Sequence, residues 1–86
     1  MNNQEIKDKV LDIVAERLNR PKGDIAMEMH FINDLGADSL EVIELSMAIE
    51  DAFGIRIPDE DADNVQTVGA AVEYVTNAVA RQAVKK

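Results

Sequence analysis

Apolar residues recur at helical spacing near the start of the chain. Their positions are Ile6, Val10, Ile13, Val14 and Leu18. Intervals of three and four residues place them on one face of a helix. Asn2 followed by Glu5 is the pattern of a capping box, and Pro21 disfavours helical geometry at Arg20. The pattern therefore predicts a first helix over residues 3–18.

Residues 19–38 show no regular period, and we predict a long loop there. Three of its apolar side chains, those of Ile25, Phe31 and Leu35, are expected to tuck into the core. A loop of this length in a small domain is more often functional than not.

A second helix is predicted over residues 39–53. Asp38 or Ser39 can cap its start, and Gly54 can close its end. A short helical turn should follow Pro58, with acidic side chains near its positive N-terminus.

A last helix is predicted after Thr67, a natural cap. Its repeating apolar positions are Val68, Val72, Val75 and Val79. Three long helices and one short one predict an all-α fold, a small four-helix bundle with a long loop between the first and second helices. Eighty-six residues are enough for one domain only, so we expect a single domain over residues 1–86, with 81–86 as a loosely ordered tail.

On a helical wheel, residues 39–53 form three groups instead of the usual two. The first is an apolar stripe suited to the core, made of Val42, Leu45, Ile49, Ala52 and Phe53. The second is acidic and contains Glu41, Glu44 and Asp51. The third is another apolar cluster, made of Leu40, Ile43 and Met47. Two interpretations of this third group stay open: a middle helix buried on two faces, or an exposed docking strip rimmed by charge.

Hydrophobic residues make up 47% of the chain and aromatic residues only 3%, so the core must be aliphatic. The absence of cysteine excludes a disulfide framework, a thiolate zinc site and a cysteine nucleophile. No apolar stretch approaches the roughly 18 residues of a membrane span, and the N-terminus lacks the regions of a signal peptide. We expect a soluble cytoplasmic protein.

Charge is distributed unevenly along the chain, whose net charge is −8. Residues 24–80 contain thirteen acidic residues against one basic residue, Arg56, whereas the two ends together contain eight basic and four acidic residues. Such a field repels nucleic acid and anionic membranes and attracts basic protein surfaces to the middle of the chain.

Ser39 lies at the head of the second helix and of its third group. A serine at this position is commonly only a cap. The same position favours a phosphate ester, because unpaired backbone N–H groups and the helix dipole stabilise negative charge. A catalytic role is disfavoured, since the only histidine, His30, lies nine residues upstream and no Gly-x-Ser-x-Gly elbow surrounds the serine.

Three aspartates, Asp59, Asp61 and Asp63, match the first ligand positions of a calcium loop. Asn64 stands where the loop needs glycine, and Ala70 where it needs a bidentate glutamate. We expect no dedicated metal site.

The run from Phe31 to Glu41, Phe-Ile-Asn-Asp-Leu-Gly-Ala-Asp-Ser-Leu-Glu, closely resembles the signature of acyl carrier proteins. The Asp-Ser-Leu core, residues 38–40, is its most specific part. The likeness continues through the second helix and into the last one, and it leaves only residues 81–86 unmatched.

The resemblance implies a four-helix bundle that is not an enzyme. A phosphopantetheinyl transferase would move 4′-phosphopantetheine from coenzyme A onto Ser39, and the thiol of that arm would carry acyl groups as thioesters. Acyl chains in this family can fold back into the bundle interior. The family's partners, fatty acid synthesis enzymes, present Arg and Lys. Its partner contacts fall here on Asp38, Leu40, Glu41, Ile43, Glu44, Met47, Glu50, Asp51, Ile57, Asp59 and Glu60.

The leading hypothesis is a monomeric acyl shuttle for bacterial-type fatty acid synthesis. A close rival, which the sequence separates poorly from it, is a specialised carrier for polyketide or other lipid assembly. A hypothesis of another class is an unmodified acidic adaptor that works by docking alone, with Ser39 as a plain cap.

Overall fold

The residues that the structure describes form four α-helices. The computed structural model describes the backbone of residues 2–62 and 64–84, and the side chains of these residues except those of Asp59 and residues 82–84. In chain order the helices are α1 (Asn3–Leu18), α2 (Ser39–Phe53), α3 (Asp59–Ala62) and α4 (Val68–Val84). The described residues form no strand, so the predicted all-α four-helix fold is confirmed.

The helices begin and end at the capping residues that the sequence predicted. The Asn2 side chain accepts the backbone N–H of Glu5 at 2.8 Å, and the Glu5 carboxylate accepts that of Asn2 at 3.0 Å, which completes the predicted capping box. Gly54 ends α2 in the left-handed conformation, with φ of 65°. The Thr67 hydroxyl oxygen accepts the N–H of Ala70 at 3.1 Å at the start of α4.

Among the described residues, the fully buried core is aliphatic apart from Phe31. Helix α1 packs against both α2 and α4. The most deeply buried large side chains are Ile6, Val10, Val14, Leu45, Val68 and Val75. No described polar or charged residue is fully buried, so apolar burial supplies most of the stabilisation of this bundle.

The segment between α1 and α2 is anchored more firmly than a loop of its length suggests. It contains a short 3-10 helix, Lys22–Asp24. Ile25, Phe31 and Leu35 are buried in the core, as predicted. The Phe31 N–H donates to the carbonyl of Gln66 at 3.0 Å, so the segment is also fastened to the residues that precede α4.

Gly69 lies where the segment between α1 and α2 crosses the first turn of α4. Its N–H donates to the Met27 carbonyl at 2.7 Å. A Cβ atom at Gly69 would lie only 3.1 Å from that carbonyl oxygen. This close approach explains a glycine inside a helix, where it costs about 1 kcal/mol relative to alanine.

Helix α4 continues through Val84, four residues into the segment for which we predicted a loosely ordered tail. The sequence Arg81-Gln82-Ala83-Val84 contains no glycine or proline to end a helix there. Residues 85 and 86 of the predicted tail lie outside the described residues. Within the described part of the chain, no helix is long and apolar enough to span a membrane.

Candidate functional site

Asp38, and not Ser39, caps α2. The Asp38 carboxylate accepts the backbone N–H of Glu41 at 2.8 Å, and the Glu41 carboxylate accepts that of Asp38 at 3.1 Å. Ser39 is the first residue of the helix and is exposed. Its hydroxyl forms no hydrogen bond with any described residue. The simplest structural explanation of this serine, a helix cap, therefore does not apply.

The third group of α2 is exposed. Leu40, Ile43 and Met47 keep 63%, 56% and 57% of their surface accessible. Leu45 and Ile49, on the first stripe, are buried. The structure thus decides between the two interpretations of the wheel: α2 packs on one side, and its second apolar face forms an exposed strip of Leu40, Ile43 and Met47.

Ile32, which the sequence analysis left unassigned, adds a fourth exposed apolar side chain to this surface, at 55%. Its neighbour Phe31 is buried, and the Gly36 N–H donates to the Ile32 carbonyl at 3.2 Å. The Asp34 carboxylate accepts the His30 N–H at 2.8 Å and closes the same turn. The sequence contained a signal for the exposure of Ile32. Two successive side chains in a turn rarely both reach the core, and Phe31 was already predicted to be buried.

An open groove of about 650 Å³ runs between α2, the turn containing Ile32, and the segment around α3. Ser39 lines it together with Ile32, Ile43 and Met47. Its other apolar lining residues are Phe31, Val42, Ile57, Ala62 and Val65. The groove therefore places a serine hydroxyl beside an extended apolar surface.

An inner cleft of about 10 Å³ lies between this groove and the core. It has space for about one water molecule. Both cavities are lined by Phe31, Val42, Ser46, Ile57 and Val65. These five shared residues form the boundary between the groove and the inner cleft. We call this boundary the passage, because a chain that reached the core from the groove would have to cross it.

The acidic residues predicted to contact partners fall into two sets. Glu44, Asp51 and Glu60 are exposed on α2 and α3. Asp38 and Glu41 use carboxylate oxygens in the capping box. The side chain of Asp59 lies outside the described residues.

Glu50 and Ile57 have an internal role that the sequence did not reveal. The Glu50 carboxylate accepts the Ile57 N–H at 2.7 Å, and both residues are half-buried. This bond ties the segment that leads into α3 to α2. Both residues also line the groove.

Tyr74 fastens α3 from the other side. Its hydroxyl donates to the Asp61 carboxylate at 2.8 Å and lies 3.4 Å from the Arg56 carbonyl oxygen. Partial burial, and then the hydrogen bond to Asp61, raise the pKa of the Tyr74 hydroxyl above its ordinary value.

The pKa of Lys22, which does not line the groove, is also raised. The cause is its hydrogen bond with Asp12, whose carboxylate oxygen lies 2.9 Å from the ammonium nitrogen.

His30 is half-buried and lines the groove, but no hydrogen bond joins it to Ser39 among the described side chains. No group of three His, Cys, Asp or Glu residues that the structure describes is arranged to hold a metal ion. Asp63, the third aspartate of the calcium-like run, lies outside the described residues.

Comparison with known proteins agrees with the geometry. Residues 8–75, well over half of the chain, match the family model described as "Phosphopantetheine attachment site". An acyl carrier protein of Lactobacillus johnsonii is 47% identical over 75 residues, which cover 87% of this chain and 94% of that protein. The solved structure of an acyl carrier protein from Enterococcus faecalis superposes with a TM-score of 0.78 at 36% identity, covering 91% of this chain and 99% of that one.

These matches extend beyond the serine motif to most of the chain, and they confirm the resemblance, the carrier function and the phosphopantetheine cofactor predicted from the sequence. The chain belongs to the phosphopantetheine attachment family, as one of its bacterial-type acyl carrier proteins.

Proposed function

We propose that Ser39 is the residue to which the phosphopantetheine arm is attached. The observation that carries this assignment is an exposed hydroxyl at the head of α2, beside a groove, at a helix end that a different residue caps. The Ser39 oxygen would attack the phosphorus that bears the pantetheine group in coenzyme A. A phosphodiester forms, the pyrophosphate bond breaks, adenosine 3′,5′-bisphosphate leaves, and the hydroxyl proton is released.

The helix end favours the product of this reaction. A phosphodiester on Ser39 carries one negative charge beside the unpaired N–H groups of the first turn of α2. The helix dipole stabilises such a charge by roughly 0.3–1 kcal/mol at an exposed position. Because the Asp38 carboxylate accepts only the N–H of Glu41, the N–H groups of Ser39 and Leu40 stay available.

The surface around Ser39 fits partner enzymes with basic and apolar residues. The strip of Leu40, Ile43 and Met47 supplies apolar contact area, and Ile32 extends it. Exposed carboxylates accompany the strip, those of Glu44 and Asp51 on α2 itself and that of Glu60 on α3. Buried apolar contact gives affinity, while the charges steer the encounter with a basic partner.

We propose that the arm and its acyl cargo bind in the groove. It begins at Ser39, and most of its lining residues are apolar. Burial of alkyl surface there stabilises the loaded protein by roughly 25 cal/mol per Å² removed from water. A longer chain would have to widen the inner cleft.

The pathway we propose is fatty acid synthesis, with its enzymes and a phosphopantetheinyl transferase as partners. We further propose that the protein is monomeric and works in the cytoplasm. Its net charge of −8 disfavours self-association.

Transfer of the arm is the first test. The protein is incubated with coenzyme A and an active phosphopantetheinyl transferase, and its intact mass is measured. We expect the wild type to gain the mass of one arm and Ser39→Ala to gain none. The matched control is Thr76→Val, which removes a hydroxyl on α4, outside the groove, and should gain one arm. An unmodified wild type after treatment with several active transferases would instead favour the acidic adaptor.

A second assay separates the two carrier hypotheses. The arm is loaded with a malonyl group, and the protein is offered to condensing enzymes of fatty acid synthesis and of polyketide assembly. Turnover with the former supports the proposed pathway. Rejection by every fatty acid synthesis enzyme, with acceptance by a polyketide enzyme, would identify a specialised carrier.

A further inference from the structure

Ser46 occupies an unusual position between the two cavities of the described structure. It lies on α2, two turns beyond Ser39, and is half-buried. Five residues line both the groove and the inner cleft, and Ser46 is the one polar member among them. An acyl chain that extended from the groove into the inner cleft would therefore meet the Ser46 side chain.

The Ser46 hydroxyl has no protein partner among the described residues. A hydroxyl inside a helix commonly donates to the carbonyl four residues earlier, as Thr76 does to Val72 at 2.8 Å. Ser46 forms no such bond with Val42. The other polar residue of the inner cleft, Tyr74, already donates its hydroxyl to Asp61. The passage therefore has a single unpaired hydroxyl, that of Ser46, with which an acyl chain can form a hydrogen bond.

We propose that Ser46 determines which acyl groups this carrier shelters, favouring cargo that bears an oxygen on carbon 3 over saturated chains of the same length. This inference rests on the proposed function, because it requires an acyl arm on Ser39. A saturated chain in the passage removes the Ser46 hydroxyl from water and offers no hydrogen bond in return, which is unfavourable. A 3-hydroxyacyl group pairs with it.

The effect is measurable as a shift in thermal stability. Four species are prepared by enzymatic loading: wild type and Ser46→Ala, each carrying an octanoyl or a 3-hydroxyoctanoyl arm. The Tm of each is compared with that of the same variant carrying the bare arm. This reference cancels the effect of the alanine on the stability of α2 itself.

We expect the wild type to gain more stability from 3-hydroxyoctanoyl than from octanoyl cargo, and Ser46→Ala to lose that preference. One hydrogen bond in a domain of this size corresponds to about 4–8 °C in Tm. In Ser46→Ala, the gain from the octanoyl chain should also rise. Thr76→Val, which removes a hydroxyl outside both cavities, should keep the wild-type preference.

Two results would overturn the inference. One is the same difference between the two cargoes in wild type and Ser46→Ala, zero included. The other is a loss of preference in Thr76→Val as large as that in Ser46→Ala. Both leave the proposed function intact, since they are measured on protein that has accepted the arm. Failure to load any arm on Ser39 is a separate result, which would refute the proposed function.

Discussion

Two neighbouring residues, Asp38 and Ser39, divide the work at the head of α2. The Asp38 carboxylate accepts the N–H of Glu41 and secures the helix start. Ser39 is thereby released from capping, and it lies exposed at the edge of the groove. A serine hydroxyl that is to carry a covalent group cannot also make a hydrogen bond on which the fold depends. Because Asp38 caps the helix, the Ser39 hydroxyl is available for modification.

Removal of each side chain should separate the two roles. Asp38→Ala should lower the free energy of unfolding by about 1 kcal/mol, the usual cost of losing an N-cap. Ser39→Ala should change it by less than about 0.5 kcal/mol, since an exposed serine outside the cap is replaced by a better helix former. Urea unfolding of unmodified protein measures both. An equal loss in the two variants would show that Ser39 shares the cap.

Helix α2 presents two apolar faces with different functions. One face packs in the core through Leu45 and Ile49, and the other forms the exposed strip. The sequence placed residues correctly on the two faces, because the period of a helix is a local property. It did not decide whether the second face was covered, because covering depends on where the other helices lie.

The two faces predict opposite responses to truncation. Leu45→Ala should destabilise the protein by about 2–5 kcal/mol, because it leaves a cavity in the core. Met47→Ala should change the stability by less than about 0.5 kcal/mol but impair turnover by a partner enzyme. Thermal unfolding and steady-state kinetics of the loaded protein measure the two effects. A loss of stability in Met47→Ala comparable to that in Leu45→Ala would mean that the strip is buried.

The short helix α3 is held by contacts that no local pattern reveals. Glu50 accepts the Ile57 N–H from one side, and Tyr74 donates to Asp61 from the other. These pairs are 7 and 13 residues apart in sequence. The sequence predicted the existence of α3 from Pro58 and the acidic residues that follow. It assigned Glu50 to partner binding only, because its internal partner is a backbone N–H.

The Tyr74 contact predicts a specific dependence of stability on alkaline pH. The pKa of Tyr74 is raised in the folded protein, so folding favours the protonated hydroxyl. Its contribution is complete below the ordinary tyrosine pKa of about 10 and is lost as pH rises through the raised pKa. Near neutral pH, Tyr74→Phe should therefore be less stable than wild type, by about 1 kcal/mol for the lost hydrogen bond.

This stability difference between wild type and Tyr74→Phe should shrink above about pH 10. Denaturant unfolding over a pH series measures it. The chain contains one tyrosine, so tyrosinate absorbance reports the same titration without ambiguity. A difference that stays constant across the alkaline range would contradict the role assigned to the hydroxyl.

Local and long-range features of this fold were not equally predictable from the sequence. Helix boundaries and caps came from neighbouring residues, as at Asn2 and Gly54, and the structure confirms them. The exposure of Ile32 and the need for Gly69 beside the Met27 carbonyl depend on contacts between distant segments. The groove is likewise assembled from three such segments, and no single pattern predicted it.

Over the whole molecule, acidic charge is concentrated between residues 24 and 80, and the ends carry the excess of basic residues. The exposed strip lies inside the acidic region, so a basic partner surface is drawn to the part of the molecule that carries Ser39. Such steering is screened over about 8–10 Å at ordinary salt concentrations.

Replacement of one acidic residue of α2 by a basic one tests this electrostatic attraction of the partner. Glu44→Lys should raise the KM of a partner enzyme for the loaded carrier on the order of tenfold at low salt, with less effect on kcat. High salt should reduce the difference from wild type. Glu16→Lys is the matched control, because Glu16 is an exposed glutamate on α1, away from the strip. Equal effects of the two variants would show that net charge, and not the position of the charge, governs the encounter.

Direct localisation of the arm decides the central assignment. Wild-type protein treated with coenzyme A and a transferase is digested with trypsin, which releases residues 23–56 as one peptide because no lysine or arginine lies between Lys22 and Arg56. This peptide contains both serines of the chain, Ser39 and Ser46. Fragmentation of its backbone in the mass spectrometer assigns the added mass to one residue. We predict that all of it lies on Ser39; an arm on Ser46, or on any residue outside this peptide, would contradict the assignment.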